Sequence, residues 1–434
     1  MFLQEKLRAA AAEARPVRVC LIGAGKFGSM FLAQVPTTDG LEVSWIADLR
    51  PDNARAACAS VGWDDARIEA TAISDDASAA IAADDVDVVV EAPGNPHAGV
   101  RHARAAIAAG KHVVMVNVEA DVLAGAALAK EARAAGVVYS MAYGDQPALT
   151  AEIVDWARSC GFDVVCAGKG TKYLPHFHQS TPETVWEYGG YDPAKAIRDG
   201  MNPKMFNSFT DGTKSALEMA AIANACDLTP PSDGLLFPPC GVDDLARILR
   251  PRSEGGLMEV KGTVETVSSV ERDGRPVFRD LRWGVYAVFE APNDYAAGCF
   301  RQYGMNTDAS GRYSAMYKPF HLIGMELNIS ILSAALLGQA TGETAAFNGD
   351  VVATAKKDLK AGETLDGEGG YCVWGKLIPA RASVARGALP IGLAQDVTLT
   401  RDVKMGEVVR YADAAIRDDD DVAAYRRAME RANA

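Results

Sequence analysis

Near the N-terminus, a run of apolar residues leads directly into three glycines with the spacing G-x-G-x-x-G. The run Val17–Ile22 has the composition of a buried strand, and Gly23, Gly25 and Gly28 follow it. In dinucleotide-binding folds the first glycine allows a tight turn, the second lets the backbone approach a pyrophosphate, and the third lets the next helix pack closely on the sheet. The stretch therefore predicts a dinucleotide site whose phosphate loop consists of Gly23, Ala24, Gly25, Lys26, Phe27 and Gly28.

An acidic residue follows the second predicted strand at the spacing that such a site requires. The strand Leu41–Ala47 ends at Asp48, 20 residues after Gly28. A carboxylate there can bind a ribose hydroxyl, and it repels a 2′-phosphate, which favours NAD. Arg50 could hold that phosphate if Asp48 turned away, which favours NADP. Asp48 and Arg50 are therefore both expected to contact the adenosine half of the cofactor.

After Asp48, predicted helices and strands alternate, which is typical of an α/β fold with a doubly wound, parallel Rossmann sheet. We expect helices at Pro51–Val61, Ile73–Ala83, Val100–Ala109 and Val122–Ala135, and strands at Val86–Glu91, His112–Val118 and Val137–Met141. Ligands bind outside the carboxyl ends of such strands. We therefore expect cofactor contacts from Pro93, Gly94, Asn95 and Asn117. We place His97 and Glu119 at the same crevice.

Composition limits the domain number and the partners. A chain of 434 residues is too long for one ordinary core, and we expect a Rossmann domain at 1–147, an α+β catalytic and oligomerisation domain at 148–345, and a small, mostly β domain with a terminal helix at 346–434. The net charge of -13 disfavours nucleic acid and anionic membranes as partners. No apolar run is long enough for a membrane span.

The eight cysteines form no C-x-x-C pair, as expected for a reduced cytoplasmic protein.

Several phrases resemble known families. The N-terminal half resembles the NAD(P)-binding domain of homoserine dehydrogenase-type proteins, and Lys356–Leu365 (K-K-D-L-K-A-G-E-T-L) resembles part of an SAF domain. The phrases A-P-G-N-P, V-N-V-E-A-D, G-D-Q-P, A-G-K-G-T-K-Y, N-P-K-M-F-N-S-F-T-D-G-T-K and Y-K-P-F-H-L together resemble enzymes similar to, and alternative to, the usual 1-deoxy-D-xylulose 5-phosphate reductoisomerase. Homoserine dehydrogenases usually carry a lysine where this chain has Asn117-Val118-Glu119, which argues against homoserine as substrate.

The resemblance implies a carbon-skeleton rearrangement of an α-ketol phosphate, followed by reduction with NADPH to 2-C-methyl-D-erythritol 4-phosphate. It also implies a homodimer and allows a divalent metal, Mg or Mn, with no ligands assigned. Such a reaction needs cations for a phosphate and groups that polarise a carbonyl. We expect Lys204 and Lys318 to bind the phosphate, and Lys172 and Lys214 to lie near the carbonyl. For each lysine, the alternative is an exposed surface residue.

Acids and histidines complete the expected site. Glu119 is a candidate base, with the alternative of a helix N-terminal acid that serves the helix dipole. Asp211 is favoured as an N-cap, with a catalytic role as the second interpretation. Lys318 is expected at the start of a helix Phe320–Leu337, beside His321, which is expected to bind substrate. His176 and His178 could share one face of a strand as metal ligands, but the sequence shows no third ligand.

Two other functions remain open at this level. One is a dehydrogenase or oxidoisomerase that acts on a sugar acid or a homoserine-like substrate, in which the lysines bind a carboxylate. The other is a protein without catalysis, either a nicotinamide-binding sensor or an accessory protein of the SAF type.

Overall fold

The computed structural model describes residues 2–190, 192–198 and 201–433, and it divides into two compact units. The first unit comprises Met1–Leu149 and His321–Ala345, and the second comprises Thr150–Phe320 and Ala346–Ala434. The expected three domains, 1–147, 148–345 and 346–434, stay a prediction. The residues from His321 to Ala345, however, fold with the N-terminal part of the chain.

The described residues contain the following strands and helices. The strands are β1 (Val17–Ile22), β2 (Leu41–Ala47), β3 (Ala72–Ser74), β4 (Val88–Glu91), β5 (His112–Met115), β6 (Tyr139–Met141), β7 (Asp163–Thr171), β8 (Thr263–Ser268), β9 (Val285–Glu290), β10 (Tyr313–Lys318), β11 (Gly349–Ala355), β12 (Thr364–Asp366), β13 (Val373–Pro379) and β14 (Gln395–Thr398). The helices are α1 (Leu3–Ala12), α2 (Lys26–Leu32), α3 (Pro51–Ser60), α4 (Asp65–Ala70), α5 (Ala77–Ala82), α6 (Pro96–Ala108), α7 (Val118–Ala135), α8 (Gln146–Ser159), α9 (Val185–Gly189), α10 (Pro193–Arg198), α11 (Pro203–Thr210), α12 (Thr213–Cys226), α13 (Leu245–Ile248), α14 (Asp294–Gln302), α15 (Asn328–Leu337), α16 (Ala380–Arg386) and α17 (Asp421–Ala432).

The first unit is built on a parallel sheet of six strands in the order β3-β2-β1-β4-β5-β6. The strand order reverses between β1 and β4, where the carboxyl ends of the strands leave a crevice for a ligand. The β-branched residues of β4 are fully buried, as expected for a central parallel strand. The α/β fold with a Rossmann sheet is therefore confirmed.

The helix α15 belongs to the core of the first unit. Ile331 and Leu332 of α15 and Phe31 of α2 lie in one buried cluster with Val90 and Val114 of the sheet. This apolar packing explains why a segment far along the chain returns to the N-terminal sheet.

The predicted helix Ile73–Ala83 is wrong in its first part. Ile73 lies in β3 and pairs with Ile46 of β2, and the helix α5 begins only at Ala77. Asp76 caps α5 because its carboxylate accepts the N–H of Ala79. The capping aspartate inside this apolar stretch marks the end of the strand and the start of the helix.

The predicted helix Phe320–Leu337 is also too long. The helix α15 begins at Asn328, and Gly324 adopts a left-handed φ of +78°. A helix cannot continue through that conformation. Lys318 is consequently the last residue of β10 and does not lie at a helix N-terminus.

The second unit contains a four-stranded sheet in the order β10-β9-β7-β8. Strands β7 and β8 are parallel, whereas β9 is antiparallel to β7 and β10. The buried helix α12 packs against β8, β11 and β13. Two small antiparallel pairs, β11 with β13 and β12 with β14, give the C-terminal part its expected β character. The SAF assignment stays a prediction.

Among the described residues, no helix combines the length and the apolar character that a membrane crossing requires.

Candidate active site

The glycine loop after β1 has the geometry that a pyrophosphate requires. Gly23 adopts a φ of +89°, and a Cβ added to Gly28 would lie 2.5 Å from the carbonyl oxygen of Gly23. Only glycine therefore allows α2 to begin so close to the sheet. A Cβ added to Gly25 would meet no atom within 4 Å. The space beside Gly25 is where the backbone of such a loop approaches the cofactor phosphates.

Backbone amides of this loop remain available to a ligand. Within the described residues, the N–H groups of Gly25, Lys26, Phe27 and Gly28 donate to no protein atom. The first N–H groups of a helix have no intrahelical acceptor, and they bind anions readily. The residues present therefore fit a dinucleotide.

Asp48 holds the glycine loop through its carboxylate. Oδ2 accepts the N–H of Ala24 at 2.9 Å, and Oδ1 accepts the N–H of Arg50 at 2.9 Å. Each carboxylate oxygen has a second lone pair, so Asp48 can also accept a ribose hydroxyl. Arg50 follows two residues later and is exposed. The structure thus brings both predicted adenosine contacts to the end of β2.

The asparagines after β4 and β5 are joined by a hydrogen bond. Asn95 caps α6 by accepting the N–H of Ala98, and Asn117 caps α7 by accepting the N–H of Ala120. The Nδ2 of Asn117 also donates to the carbonyl of Asn95 at 2.9 Å. These side chains fix the loop that contains Pro93 and Gly94. His97 and Glu119 follow the two caps in the first turns of α6 and α7.

Glu91 is a buried acid that the sequence analysis missed. Its side chain is fully buried at the end of β4, and Oε1 lies 3.1 Å from Nδ1 of His102. Burial raises the pKa of Glu91, and the neighbouring His102 opposes this shift. An acid at the end of the β-branched run D-V-V-V was the available signal. The pair joins β4 to α6.

Gln146 and His321 meet in the first unit. The Nε2 atoms of the two side chains lie 3.1 Å apart, and Gln146 is buried. Gln146 opens α8 directly after the loop that follows β6. The sequence singled out His321 but gave no reason to pair it with a residue 175 positions earlier.

In the second unit, the end of β7 carries a partly buried cation next to a second cation. The Nζ of Lys172 donates to the carbonyl oxygen of Tyr188 at 2.7 Å. Burial lowers the pKa of Lys172, and the nearby Arg282 lowers it further. Gly170 makes this arrangement possible, since a Cβ there would lie 1.9 Å from the carbonyl oxygen of Leu281. Arg282 was not predicted, because only the fold brings it to Lys172.

Lys318 lies at the same edge of this sheet. In the strand register, Lys169 of β7 is opposite Val285 of β9, which is opposite Lys318 of β10. The Lys318 ammonium lies 5.4 Å from the centroid of the Phe320 ring. This contact is a cation–π interaction.

Three other predicted site residues of the second unit, Lys204, Asp211 and Lys214, are described by different contacts. The Lys204 ammonium donates to the carbonyl oxygen of Asp366. Asp211 is buried, and its carboxylate forms an ion pair with Lys356 at 2.7 Å and accepts the N–H of Thr213. Lys214 lies in the first turn of α12, whereas Glu218, one turn later, pairs with the buried Lys169. The catalytic roles of Lys204, Lys214 and Asp211 stay predictions.

The expected strand around His176 and His178 is a short 3-10 helix, Pro175–Gln179, so the argument that both share one face of a strand is wrong. His178 donates from Nδ1 to the carbonyl of Asp211 at 2.7 Å, and its Nε2 accepts from the hydroxyl of Tyr173 at 2.8 Å. Its ring stacks on Trp374, and burial lowers its pKa. Within the described residues, no group of three acidic, histidine or cysteine side chains could hold a metal ion.

Two family models match consecutive parts of this chain. The model of the homoserine dehydrogenase NAD-binding domain matches residues 23–141, and the model of the catalytic domain of oxidoreductase DRL matches residues 144–327. No curated protein matches the chain. The two family models bear out the resemblance in its N-terminal and middle parts, and they identify the chain as an NAD(P)-dependent oxidoreductase.

Solved structures with partial likeness include three enzymes. Biliverdin reductase from Synechocystis sp. PCC 6803 is 18% identical, with 37% of this chain and 48% of that chain covered and a TM-score of 0.27. Myo-inositol dehydrogenase from Lactobacillus casei is 16% identical, with 63% and 71% covered and a TM-score of 0.35. 1-deoxy-D-xylulose 5-phosphate reductoisomerase from Zymomonas mobilis is 20% identical, with 47% and 56% covered and a TM-score of 0.34. The chain thus spans about half the length of the first and the third of these proteins.

Proposed function

We propose that this NAD(P)-dependent oxidoreductase uses NADP(H) and acts on a small phosphorylated keto-sugar. Its reaction is that of a reductoisomerase, which converts 1-deoxy-D-xylulose 5-phosphate to 2-C-methyl-D-erythritol 4-phosphate or acts on a closely related substrate. The observation that carries the proposal is the juxtaposition of Lys172 and Arg282 at the end of β7.

Two cations held close together are unfavourable unless an anion joins them. Within the described residues, neither Lys172 nor Arg282 pairs with a carboxylate, and Lys172 is partly buried. A phosphate monoester carries a charge of roughly −2 near neutral pH and offers three acceptor oxygens. Arginine and lysine are the side chains that bind such a group. Lys318, at the same edge, supports the same assignment.

The adenosine end supports NADP(H). Both oxygens of Asp48 already accept backbone N–H groups, and Arg50, two residues later, is exposed. A cation at this position can bind a 2′-phosphate, which a carboxylate alone would repel.

The chain would supply binding and proton transfer, while bound NADPH would supply the hydride. A lysine can donate a proton to a carbonyl oxygen, and Lys214 keeps that predicted role. Lys204, Lys214, Glu119 and Asp211 keep their predicted roles within this proposal. A divalent metal, cytoplasmic location and a homodimer also belong to the proposal.

The test is oxidation of NADPH by the purified protein in the presence of Mg²⁺. The assay compares 1-deoxy-D-xylulose 5-phosphate with other phosphorylated ketoses and with sugar acids. Arg282→Met removes a cation without removing the proton donor, and we expect KM for the phosphorylated substrate to rise about tenfold or more with a smaller effect on kcat. The matched control is Arg275→Met, since Arg275 is exposed and pairs with Asp273.

Turnover of an unphosphorylated sugar acid, but of no phosphorylated sugar, would contradict the proposed substrate. The cationic edge would then bind a carboxylate, as in the alternative dehydrogenase function. Nicotinamide binding without turnover of any member of the panel would instead favour a sensor or accessory protein.

A further inference from the structure

An exposed arginine of the first unit is held in place by a neutral side chain. Arg50 directly precedes α3, and Asn53 lies in the first turn of that helix. Oδ1 of Asn53 accepts hydrogen bonds from Nε of Arg50 at 3.0 Å and from Nη2 at 3.1 Å. A guanidinium can only donate, so the amide oxygen and not the amide nitrogen faces it. The sequence analysis selected Arg50 but gave no role to Asn53.

The positive charge of Arg50 is held without being neutralised. In the part of the chain that the structure describes, its guanidinium forms no ion pair with a carboxylate. An acid in place of Asn53 could make the same two hydrogen bonds, but it would cancel the charge. A fixed cation with a neutral partner therefore suits a ligand that brings its own negative charge.

This pair lies at the adenosine end of the expected dinucleotide site. Oδ2 of Asp48 accepts the N–H of Ala24 in the glycine loop, and Oδ1 accepts the N–H of Arg50. One carboxylate thus ties the backbone of Arg50 to the loop. The adenosine ribose of a bound dinucleotide lies at the end of β2, where an arginine can accommodate a 2′-phosphate.

The contact with Asn53 leaves donors of Arg50 available. A guanidinium has five N–H donors, and Asn53 accepts from Nε and Nη2 only. Within the described residues, no protein group accepts from Nη1. A phosphate can therefore bind to Nη1 while Asn53 keeps its two hydrogen bonds. Because the side chain is already ordered, it loses less conformational entropy when the phosphate binds.

We propose that Asn53 is a positioning residue, which fixes the Arg50 guanidinium for the 2′-phosphate and so determines the preference for NADPH over NADH. This inference rests on the proposed use of NADP(H). It adds that selectivity depends on a residue of α3 that acts only through Arg50. It does not depend on which substrate is reduced.

The test compares two cofactors that differ only in the 2′-phosphate. Dissociation constants for NADPH and NADH are measured by calorimetry on the purified full chain without substrate. For Asn53→Ala we expect about fivefold weaker binding of NADPH, equivalent to ~1 kcal/mol, with NADH bound as in the wild type. Unchanged binding of NADH shows at the same time that the variant is folded.

Asn53→Asp separates positioning from a purely structural role. An aspartate in the first turn of α3 would favour the helix, because negative charge there suits the helix dipole. It would also neutralise Arg50 and repel a phosphate. We therefore expect Asn53→Asp to weaken NADPH binding at least as much as Asn53→Ala. Wild-type selectivity in Asn53→Asp would overturn the proposal.

A double substitution tests whether Asn53 acts through Arg50. In an Arg50→Met background, Asn53→Ala should have no further effect on the ratio of the two dissociation constants. Ser60→Ala is the control on the same helix, since Ser60 lies at the other end of α3 and its hydroxyl donates to the carbonyl of Ala57. This variant should bind both cofactors like the wild type.

The outcomes distinguish this inference from the proposed cofactor. If the wild type prefers NADPH and Asn53→Ala keeps the same preference, the role of Asn53 is wrong while the use of NADP(H) stands. Equal losses for both cofactors in Asn53→Ala would also overturn the role of Asn53. A wild type that binds NADH as tightly as NADPH would contradict the proposed cofactor itself.

Discussion

At the scale of single residues, a substitution of Gly25 should affect cofactor binding without affecting stability. A methyl group at Gly25 would enter open space, so Gly25→Ala should leave the thermal midpoint nearly unchanged. The same methyl group would occupy the space for the pyrophosphate. We expect the dissociation constant for NADPH to rise about tenfold or more in a calorimetric titration.

Gly298→Ala is a suitable comparison, because Gly298 lies in α14 and its added Cβ also meets no atom within 4 Å. This variant should bind NADPH like the wild type. Wild-type affinity in Gly25→Ala would show that the pyrophosphate does not approach Gly25.

Asp121 shows how one buried acid affects stability. Burial raises the pKa of Asp121 from 3.8 to about 6, and its carboxylate accepts hydrogen bonds from the hydroxyls of Tyr139 and Thr344. The folded protein binds this proton more tightly than the unfolded chain does. The stability that Asp121 contributes is thus fully present below pH 3.8 and is lost as the pH rises through about 6.

A pKa shift of about two units corresponds to ~3 kcal/mol at neutral pH. The asparagine in Asp121→Asn cannot ionise. Between pH 3.8 and neutral pH, the free energy of unfolding of this variant should therefore fall by about 3 kcal/mol less than that of the wild type. Urea denaturation at both ends of the window measures the difference. Asp39→Asn, at an exposed position, should keep the wild-type pH dependence, and an unaltered profile in Asp121→Asn would contradict the assignment.

At the scale of elements, a buried lysine ties β11 to the segments around it. The ammonium of Lys356 pairs with Asp211 and donates to the carbonyls of Ser180 and Gly370. Removal of one partner from a buried ion pair destabilises a protein by about 3–5 kcal/mol. Lys356→Met should therefore lower the free energy of unfolding by an amount of that order.

The adjacent Lys357 provides a matched variant. Its side chain is 55% exposed and lies 3.6 Å from Glu363. Lys357→Met should change the free energy of unfolding by about 0.5 kcal/mol or less. Equal effects of the two substitutions in urea denaturation would show that the buried network does not stabilise the second unit.

Local patterns predicted the elements of the first unit well, because each parallel strand and each capped helix has its own sequence signal. The glycine loop precedes α2, Asp48 follows β2, and Asn95 and Asn117 follow β4 and β5, as predicted from the sequence, while their contacts with a cofactor stay predictions. The predicted helix starts were wrong near Asp76 and Gly324, because a single residue prevents the helix from extending through an apolar run.

Pairs formed between distant parts of the chain could not be predicted. Gln146 with His321, Lys172 with Arg282, and Asp211 with Lys356 are each brought together by tertiary packing. Lysine spacing alone gave four equivalent candidates. The fold places Lys172 next to Arg282, which lowers its pKa.

At the scale of the whole molecule, the two units supply different binding chemistry. The first unit carries unpaired loop amides that suit a dinucleotide, and the second unit carries a cationic sheet edge that suits a phosphate. The net charge of -13 makes such a local cationic edge a specific feature rather than a general property of the surface.

The most direct measurement is the ratio of kcat/KM for 1-deoxy-D-xylulose 5-phosphate to kcat/KM for 1-deoxy-D-xylulose, with NADPH as reductant. The two compounds differ only in the phosphate that Lys172 and Arg282 are proposed to bind. If the phosphate is bound by both cations, we expect a ratio of about 10³ or more, equivalent to ~4 kcal/mol of transition-state stabilisation. A ratio near one, or turnover of neither compound, would contradict the proposed function.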